Sequence, residues 1–210
     1  AHQAVHEIQF GHIHRPNHAS RPFDADRFEV PQQRWTALME ANRGCALLND
    51  CKYGVSVLGD TISLTLLKAG LAPDMTADRG QQTFTYAFYA WHGSFAESPV
   101  VREAYELNHP VMALPGAAGR RSLFSLDAQN VIIETVKPAE DASGDLILRL
   151  YEAKRAATAC ILSTPSIVRA FETDMLEREQ RQLETNGDQI ALFFRPFEIK
   201  TLRLRLAVDP

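Results

Sequence analysis

Residues 83–91 read TFTYAFYAW, and this stretch indicates a β-strand more clearly than any other in the chain. Aromatic side chains recur at every second position and would share one side of the strand: Phe84, Tyr86 and Phe88. A period of two residues is typical of a strand whose two faces differ. We therefore predict that residues 83–91 form one strand of a sheet.

Apolar runs of strand length continue on both sides of this stretch. Those before it include CALLN, GVSVLG and TISLTLLKAG, and a single strand is predicted from about Val5 to His14. The dipeptide Gly59-Asp60 between two of these runs is a candidate hairpin turn. Runs after residue 120 include NVIIETVK, DLILRLYEAK and KTLRLRL, the last with Leu202, Leu204 and Leu206 on one side. Strands at this spacing predict an all-β fold built from β-sandwiches.

Two segments depart from the β pattern. Ser98 to Asn108 is predicted as a helix with Ser98 as its N-cap, and Pro110 follows its end. The stretch QQRWTALMEAN, residues 32–42, could also be helical, and Trp35 within it is predicted to lie in the core. After the helix, LPGAAGRRS is rich in glycine and small residues. We therefore predict two modules, 1–113 and 120–210, with one short helix between two β-sandwiches and the junction near Leu114–Arg121.

The composition of the 210 residues is that of an ordinary globular protein, 45% hydrophobic and 23% charged. A formal net charge of −4 without a basic stripe argues against a nucleic-acid partner. No run approaches the ~18 uninterrupted apolar residues that a membrane-spanning helix needs. No signal peptide is visible and three cysteines are too few for a disulfide framework, so we expect a cytoplasmic protein. The absence of Met at position 1 favours a piece of a longer protein.

Histidines are concentrated near the start of the chain, where His12 and His14 would share one face of a strand. Imidazole is a common metal ligand. However, no Asp, Glu or Cys stands at a third ligand position and Arg15 would repel a cation, so no metal site is predicted. Nucleophile elbows, Walker loops, dinucleotide fingerprints and His-Glu-x-x-His motifs are also absent. The residues alone therefore indicate a β-sandwich module without a catalytic site of its own.

Several longer strings resemble one known family. They are GHIHRPNHASRPFDADRFEVPQQRW (residues 11–35), CALLNDCKYGVSVLGDTISLTLLKAGLAPDMTADRGQQTFTYAF (45–88), NVIIETVKPAEDASGDLILRLYEA (130–153) and RPFEIKTLRL (195–204). In this order and spacing they resemble the C-terminal region of glycoside hydrolase family 38 α-mannosidases of the bacterial and cytosolic type. The resemblance runs from about Gly11 to Leu204, which is nearly the whole chain.

The resemblance implies a fold and a role. The first module would be the later part of a mutarotase-like β-supersandwich, and the second the small β-sandwich that ends these enzymes. Family members hydrolyse α-mannosidic bonds with retention, through a zinc-dependent N-terminal domain that carries the nucleophile and the metal ligands. No catalytic residue is therefore expected in this chain, which we predict to be inactive alone. Its expected partners are that catalytic domain and an α-mannoside substrate, and a surface uncovered without the domain could drive self-association.

The resemblance also points to two pairs of residues. Asp78 and Arg79, in TADRGQQT, match the position of an arginine that reaches toward the active site in Golgi and lysosomal members, and a guanidinium can hold sugar hydroxyls. The alternative is a loop arginine that is solvated or paired with Asp78. Lys52 and Tyr53, in NDCKYG, would lie at the interface with the catalytic domain. The alternative there is that Asp50 and Lys52 only organise a tight turn.

Two other functions stay open on the sequence. An independent carbohydrate-binding module would need an exposed aromatic platform, for which the candidates are Tyr89, Trp91 and His92. A complete hydrolase would need catalytic residues that the sequence does not reveal. An exposed ring surface would favour the first, and turnover of an aryl α-mannoside by the 210-residue chain would favour the second.

Overall fold

The computed structural model describes residues 3–116 and 122–207. Contacts divide the chain into two compact units, Ala1–Ala113 and Leu114–Pro210. Part of the predicted junction, residues 117–121, lies outside the described residues. The strands of each unit pair antiparallel and dominate its structure, so the prediction of an all-β fold is confirmed.

The described part of the first unit contains two sheets and two helical segments. The strands are β1 (Gln3–Ile8), β2 (Gly11–Pro16), β3 (Val30–Pro31), β4 (Trp35–Met39), β5 (Arg43–Asn49), β6 (Gly54–Leu58), β7 (Thr61–Leu64) and β8 (Tyr86–His92). A 3-10 helix spans Pro22–Arg27, and the α-helix α1 spans Val100–Asn108. One sheet has the strand order β2-β1-β4-β5-β8 and the other the order β3-β6-β7.

Helix α1 packs against β4 and β5 on one face of the five-stranded sheet. Its buried positions follow the helical period: Val100, Val101 and Ala104. The predicted N-cap was wrong, because the cap residue is Pro99 and the Ser98 hydroxyl instead donates to the Phe95 carbonyl at 2.8 Å. The helix itself is confirmed, and it buries an apolar stripe that covers this face of the sheet.

Two local predictions in the first unit were wrong. The stretch QQRWTALMEAN contains strand β4, which pairs with β1 and β5 and is buried from Trp35 to Leu38. A central strand that is buried on both faces shows no alternation, which is why its pattern suggested a helix. The predicted strand from Val5 to His14 is a hairpin of β1 and β2 that turns at Phe10, whose φ is 56°. The core position of Trp35, 1% exposed, is confirmed.

The β6–β7 hairpin is confirmed at the predicted place. Leu58 and Thr61 are the last paired residues, so Gly59 and Asp60 form the two-residue turn. Gly59 has a φ of 61°, a left-handed conformation that glycine adopts without steric cost. The turn residues alone therefore specified this element.

The second unit is a β-sandwich of two sheets. Its strands are β9 (Ser125–Leu126), β10 (Val131–Pro138), β11 (Leu146–Glu152), β12 (Thr158–Ser163), β13 (Ile167–Thr173), β14 (Glu179–Gln182), β15 (Gln189–Phe194) and β16 (Ile199–Leu206). Their orders are β10-β11-β16-β13-β14 and β15-β12-β9. The core lies between the sheets, with Leu148 and Leu204 from one and Leu162 and Phe194 from the other, all 0% exposed.

Candidate functional site

The turn NDCKYG, residues 49–54, joins β5 to β6 and is held by amide side chains. Asn49 is 1% exposed. Its Nδ2 donates to the Gln33 carbonyl at 3.0 Å, and its Oδ1 accepts from the Lys52 amide at 2.7 Å. The Asn108 side chain, at the end of α1, donates to the Asn49 carbonyl at 3.0 Å. The turn is therefore fixed both to the segment that leads into β4 and to the helix.

Asp50 ties this turn to the beginning of β8. Its backbone amide donates to the Thr85 carbonyl at 3.1 Å, and its Oδ2 accepts from the Thr85 amide at 2.9 Å. The hydrogen bond from the Thr85 amide lowers the pKa of the Asp50 carboxyl, and a hydrogen bond from the Cys51 thiol lowers it further. Asp50 is therefore held as an anion that fixes the residues entering β8.

The other end of the same turn is tied to the segment that leaves β7. The Thr65 amide donates to the Gly54 carbonyl at 2.9 Å. The Thr65 hydroxyl donates to the Glu29 carboxylate, which Lys68 approaches at 3.6 Å. The hydrogen bond from Thr65 lowers the pKa of Glu29 against the opposing effect of burial. The NDCKYG turn therefore holds both ends of the connection between β7 and β8.

That connection, residues 65–85, carries the predicted pair Asp78 and Arg79. It has no helix or strand and is exposed along most of its length. Asp74 accepts hydrogen bonds from the amide and the hydroxyl of Thr76, both at 2.8 Å, and the Arg79 amide donates to the Thr76 carbonyl at 3.0 Å. Among the described residues, the Arg79 guanidinium forms no ion pair, so it is not paired with Asp78. A long exposed loop with ordered turns at its middle is typical of a binding loop.

Lys52 and Tyr53 lie at the end of the unit that holds this loop. The Lys52 and Tyr53 carbonyls accept from Gln32 at 2.7 and 2.9 Å, so their backbone belongs to the turn. The Lys52 ammonium lies 4.9 Å from the centre of the Phe84 ring, in a cation–π contact. The Tyr53 ring is 54% exposed. The two residues thus help to build the turn with their backbone, while the Tyr53 ring is presented on the surface.

The rings proposed for a carbohydrate-binding platform do not form one. Trp91 is 7% exposed and stacks beside the half-buried Tyr89, with 6.2 Å between ring centres. A Cβ at Gly44 would lie 2.2 Å from the Trp91 ring, so the ring rests on the glycine backbone. Only His92 of the three is exposed. The sheet uses the Tyr89 and Trp91 rings for packing, so Tyr89, Trp91 and His92 do not form the exposed platform that was predicted for a carbohydrate-binding module.

His12 and His14 share a face of β2, with ring centres 5.4 Å apart. The His12 ring is buried and packs edge-on against Phe95 at 4.9 Å. Within residues 3–116 and 122–207, no three His, Cys, Asp or Glu side chains are grouped so that they could hold a metal ion. The same residues include no helix that is long and apolar enough to span a membrane.

Sequence reasoning missed the buried polar residues that position the loop. Gln32, which follows β3, is 2% exposed and donates a hydrogen bond to the turn, and Asn108 donates another from the end of α1. Their partners lie 20 and 59 residues away along the chain, so no local spacing relates them. The signal available in the sequence was weak, because Gln32 and Asn108 stand out only as amide side chains next to an apolar strand or helix.

Two family models match the chain. One, described as "Glycosyl hydrolases family 38 C-terminal domain", matches residues 1–76. The other, described as "Glycosyl hydrolases family 38 C-terminal beta sandwich domain", matches residues 130–202. The two matches fall in different units and together cover more than half of the chain.

Curated relatives are similar along almost the whole chain. Alpha-mannosidase 2C1 of Homo sapiens is 44% identical over 218 residues, which cover 99% of this chain and 21% of that protein. Alpha-mannosidase G of Dictyostelium discoideum is 37% identical over 217 residues, which cover 97% of this chain and 20% of that protein. The chain therefore spans about a fifth of the length of the curated relatives it matches.

A solved structure shares the fold. The crystal structure of an α-mannosidase from Enterococcus faecalis V583 superposes with a TM-score of 0.79 at 21% identity, over 98% of this chain and 24% of that one. The fold agrees with the family assignment, and both family models describe C-terminal domains. The chain belongs to glycosyl hydrolase family 38, as part of its C-terminal region.

Proposed function

We propose that this chain is the non-catalytic C-terminal region of a cytoplasmic, retaining α-mannosidase. What supports the proposal is that proteins named α-mannosidase align with nearly all of this chain, which accounts for about a fifth of their length. The catalytic domain, with its nucleophile and a zinc ion, would lie elsewhere in the same polypeptide. Zinc bound there would act as a Lewis acid on a substrate oxygen. The expected substrate is an α-mannoside.

In this proposal the loop of residues 65–85 contributes to the substrate site. The observation that carries this role is the anchoring of both loop ends, at Thr65 and at Thr85, to one rigid turn. The hydrogen bonds among Asp74, Thr76 and Arg79 order the turn at the middle of this loop, and a group that orients a substrate requires such a defined conformation. Arg79 is the group we assign to that task, since its planar guanidinium can donate two parallel hydrogen bonds to sugar hydroxyls or to a carboxylate. Asp78 lies beside it in the same turn.

The proposal also gives Lys52 and Tyr53 a role, at the interface with the catalytic domain. Tyr53 presents an exposed aromatic ring at the end of the unit from which the loop projects. Aromatic rings with a polar tip are enriched in protein interfaces because they bury apolar area and still donate a hydrogen bond. The same turn would therefore hold the loop and contact the domain that the loop serves.

The test uses the longer polypeptide that contains these residues. We expect it to hydrolyse an aryl α-mannoside, and we expect Arg79→Ala to lower kcat/KM about tenfold, as the loss of one charge-assisted hydrogen bond would. Arg102→Ala is the matched control, because the Arg102 side chain is 63% exposed on α1 and forms an ion pair with Glu106 in the next turn. The melting temperature should be the same in both variants.

The 210-residue chain alone is expected to show no turnover, with or without added zinc. Turnover by this chain that disappears on substitution of a residue within it would overturn the non-catalytic role. An Arg79→Ala enzyme as active as the Arg102→Ala enzyme would overturn the role of the loop in substrate binding and leave the family assignment as it is.

A further inference from the structure

Four strands lie at the edges of the two sheets in the second unit, and three of them are built in ways that discourage pairing with a further strand. Strand β10 carries Glu134, Lys137 and Pro138, every residue of β14 is polar and exposed, and β9 has only two residues. Charged residues, proline and short length are the usual protections of an edge strand. Strand β15 reads QIALFF and contains no Lys, Arg, Asp, Glu or Pro. Of the edges that the structure describes in this unit, the β15 edge is therefore the one without such protection.

The backbone of β15 directs hydrogen-bonding groups to this edge. Alternate residues of an antiparallel strand point their amide and carbonyl groups to opposite sides. Gln189 exchanges both of its backbone hydrogen bonds with Asn186, at 2.9 and 3.2 Å, so its groups point away from the paired strand β12. Ala191 and Phe193 follow in the same alternation and face the same way. In the part of the chain that the structure describes, no group beyond the edge forms a hydrogen bond with their amides or carbonyls.

A groove of about 460 Å³ runs beside the same edge, and its charges do not balance. The Lys200 ammonium, on β16, lies 2.8 Å from a Glu172 oxygen and 3.5 Å from a Glu198 oxygen. Arg181, on β14, pairs with the same Glu172 at 2.6 Å, and Arg195 pairs with the same Glu198 at 3.3 Å. Three cations thus share two carboxylates, so the set carries one positive charge in excess. The two arginine side chains, 68% and 79% exposed, are its accessible members.

Hydrogen bonds within the groove keep both glutamates ionised. Burial would raise the pKa of Glu172, but hydrogen bonds from Lys200 and Arg181 lower it below its usual value. The pKa of Glu198 is also lowered against the effect of burial, by the hydrogen bond from the Arg195 amide and by the charge of Lys200. Each guanidinium has five N–H donors and holds its glutamate through Nη2, so further donors can meet a ligand. At neutral pH the groove is therefore suited to a carboxylate.

We infer that an acidic segment of another protein adds to the β15 edge as an extended strand. The amide and carbonyl groups of Ala191 and Phe193 pair with it, which is the usual mode of strand addition to an exposed sheet edge. Alternate side chains of the added strand point into the groove, where carboxylates neutralise the excess charge of Arg181 and Arg195. The side chains between them lie beside the exposed Ala191 and Phe193 side chains and are apolar.

A second copy of this chain fits the edge less well, because the strand it would offer, QIALFF, has no carboxylate for the groove. The binding of an acidic strand goes beyond the proposed function and does not depend on α-mannosidase activity.

The first experiment measures the binding of short peptides to the 210-residue chain by fluorescence anisotropy. The probe is fluorescein-labelled TVEVEVT, in which the glutamates lie on one side of an extended strand and the valines on the other. Replacing the glutamates by glutamine, in TVQVQVT, should weaken binding about tenfold, because charge-assisted hydrogen bonds are lost. N-methylation of the central valine should weaken it by a similar factor, because it removes an amide donor and keeps the charge. Equal affinity for the three peptides, or no binding of TVEVEVT, would overturn the inference.

Variants of the chain locate the site. Arg195→Gln should lower the affinity for TVEVEVT about tenfold, since the groove loses a guanidinium that holds a carboxylate. Arg178→Gln is the matched control, because the Arg178 side chain is 71% exposed and forms an ion pair with Asp174 outside the groove. Loss of affinity in both variants, or in neither, would contradict the placement of the ligand in this groove.

Hydrogen–deuterium exchange gives a readout that needs no variant. Deuterium uptake by residues 189–195, followed by mass spectrometry of peptic peptides, should fall when TVEVEVT binds, because the Ala191 and Phe193 amides become hydrogen-bonded. Uptake that falls with the concentration of the 210-residue chain alone would show that a second copy occupies the edge. Uptake that is already low in the longer polypeptide without peptide would show that the same molecule fills it. Either result would overturn the inference.

Discussion

His6 shows how strongly the interior of the first unit constrains a single side chain. It is 2% exposed, and its Nδ1 lies 3.0 Å from the Thr36 hydroxyl. Burial lowers the pKa of the imidazole from 6.5 to about 4, and the positive charges of Arg15 and His14 contribute to the shift. The ring therefore stays neutral in the folded protein at pH values where it is protonated in the unfolded chain.

This difference predicts a loss of stability in mild acid. The contribution of neutral His6 to the free energy of unfolding is fully present above pH 6.5. It is lost as the pH falls from 6.5 toward 4, because only the unfolded state takes up the proton in this range. His6 alone should add at most about 1.4 kcal/mol per pH unit to the slope of the unfolding free energy in this window. Urea unfolding between pH 7 and 4.5 measures this pH dependence. The plot of unfolding free energy against pH should be flatter for the His6→Gln variant.

A second observable does not depend on the folding of a variant. The His6 ring resonances, followed by NMR in the unmodified chain, should titrate with a pKa near 4. A folded-state titration near 6.5 would show that the ring is solvated, and the acid sensitivity would then have another origin.

Between β5 and β8, packing depends on the absence of one side chain. Gly44 lies opposite Trp91, and a Cβ there would come within 2.2 to 2.6 Å of three ring atoms. The ring is 7% exposed and stacks beside Tyr89, with 6.2 Å between ring centres. The close approach of strand backbone and indole therefore requires glycine at this position.

Gly44→Ala should destabilise the protein by about 2 kcal/mol, since an overpacked core must displace the ring. Gly70→Ala is the control, because the nearest atom to a Cβ there is 3.8 Å away and the site is exposed. The free energy of unfolding measures the loss, and tryptophan fluorescence should change only in the Gly44 variant. Equal stability of the two variants would mean that Trp91 has another position available.

Among the helices, strands and turns, the sequence predicted those features that depend on interactions between residues close together in the chain. The Gly59–Asp60 turn, helix α1 and the alternation in β8 each depend on neighbouring residues, and each was predicted. The bounds of the strand predicted over residues 83–91 were wrong at its start, because β8 begins at Tyr86 and residues 83–85 belong to the preceding loop. Strand β4 was not recovered, because its identity comes from pairing with β1 and β5 on either side. The turn at Phe10 was missed as well, since its positive φ occurs in a residue that rarely adopts it.

The candidate site likewise combines features that the sequence predicted with features that only the tertiary fold reveals. The resemblance supplied Arg79 and Tyr53: Tyr53 lies in the NDCKYG turn, and Arg79 lies in the loop whose two ends that turn holds. The anchors at Thr65 and Thr85 could not be predicted, because they are hydrogen bonds of the backbone and of the Asp50 carboxylate between residues 11 and 35 positions apart in the sequence. Such pairings depend on the tertiary fold and leave no spacing that a sequence can reveal.

At the scale of the whole molecule, the second unit carries a complete core of its own. Its buried cluster lies within residues 131–204 and draws on both of its sheets. We therefore predict that residues 114–210, produced alone, fold and unfold cooperatively, which near-ultraviolet circular dichroism with urea would measure. Loss of the near-ultraviolet signal, or a gradual transition, would show that this unit depends on the first.

Leu204→Ala provides the control for that experiment. Leu204 is 0% exposed in this core, and its truncation should cost about 3 kcal/mol. The same loss in the fragment and in the 210-residue chain would show that both contain the same packed core. A much smaller loss in the fragment would indicate a loosened interior and would contradict the prediction.

The double anchoring of residues 65–85 has a consequence for protein engineering. Both ends of the segment attach to one turn, so its middle can be lengthened, shortened or replaced without changing the register of the sheet. A segment of this kind can be transplanted between homologous scaffolds as a cassette. Exchange of residues 66–84 would therefore alter the chemistry presented at this end of the unit while the scaffold, with its Thr65 and Thr85 anchors, stays the same.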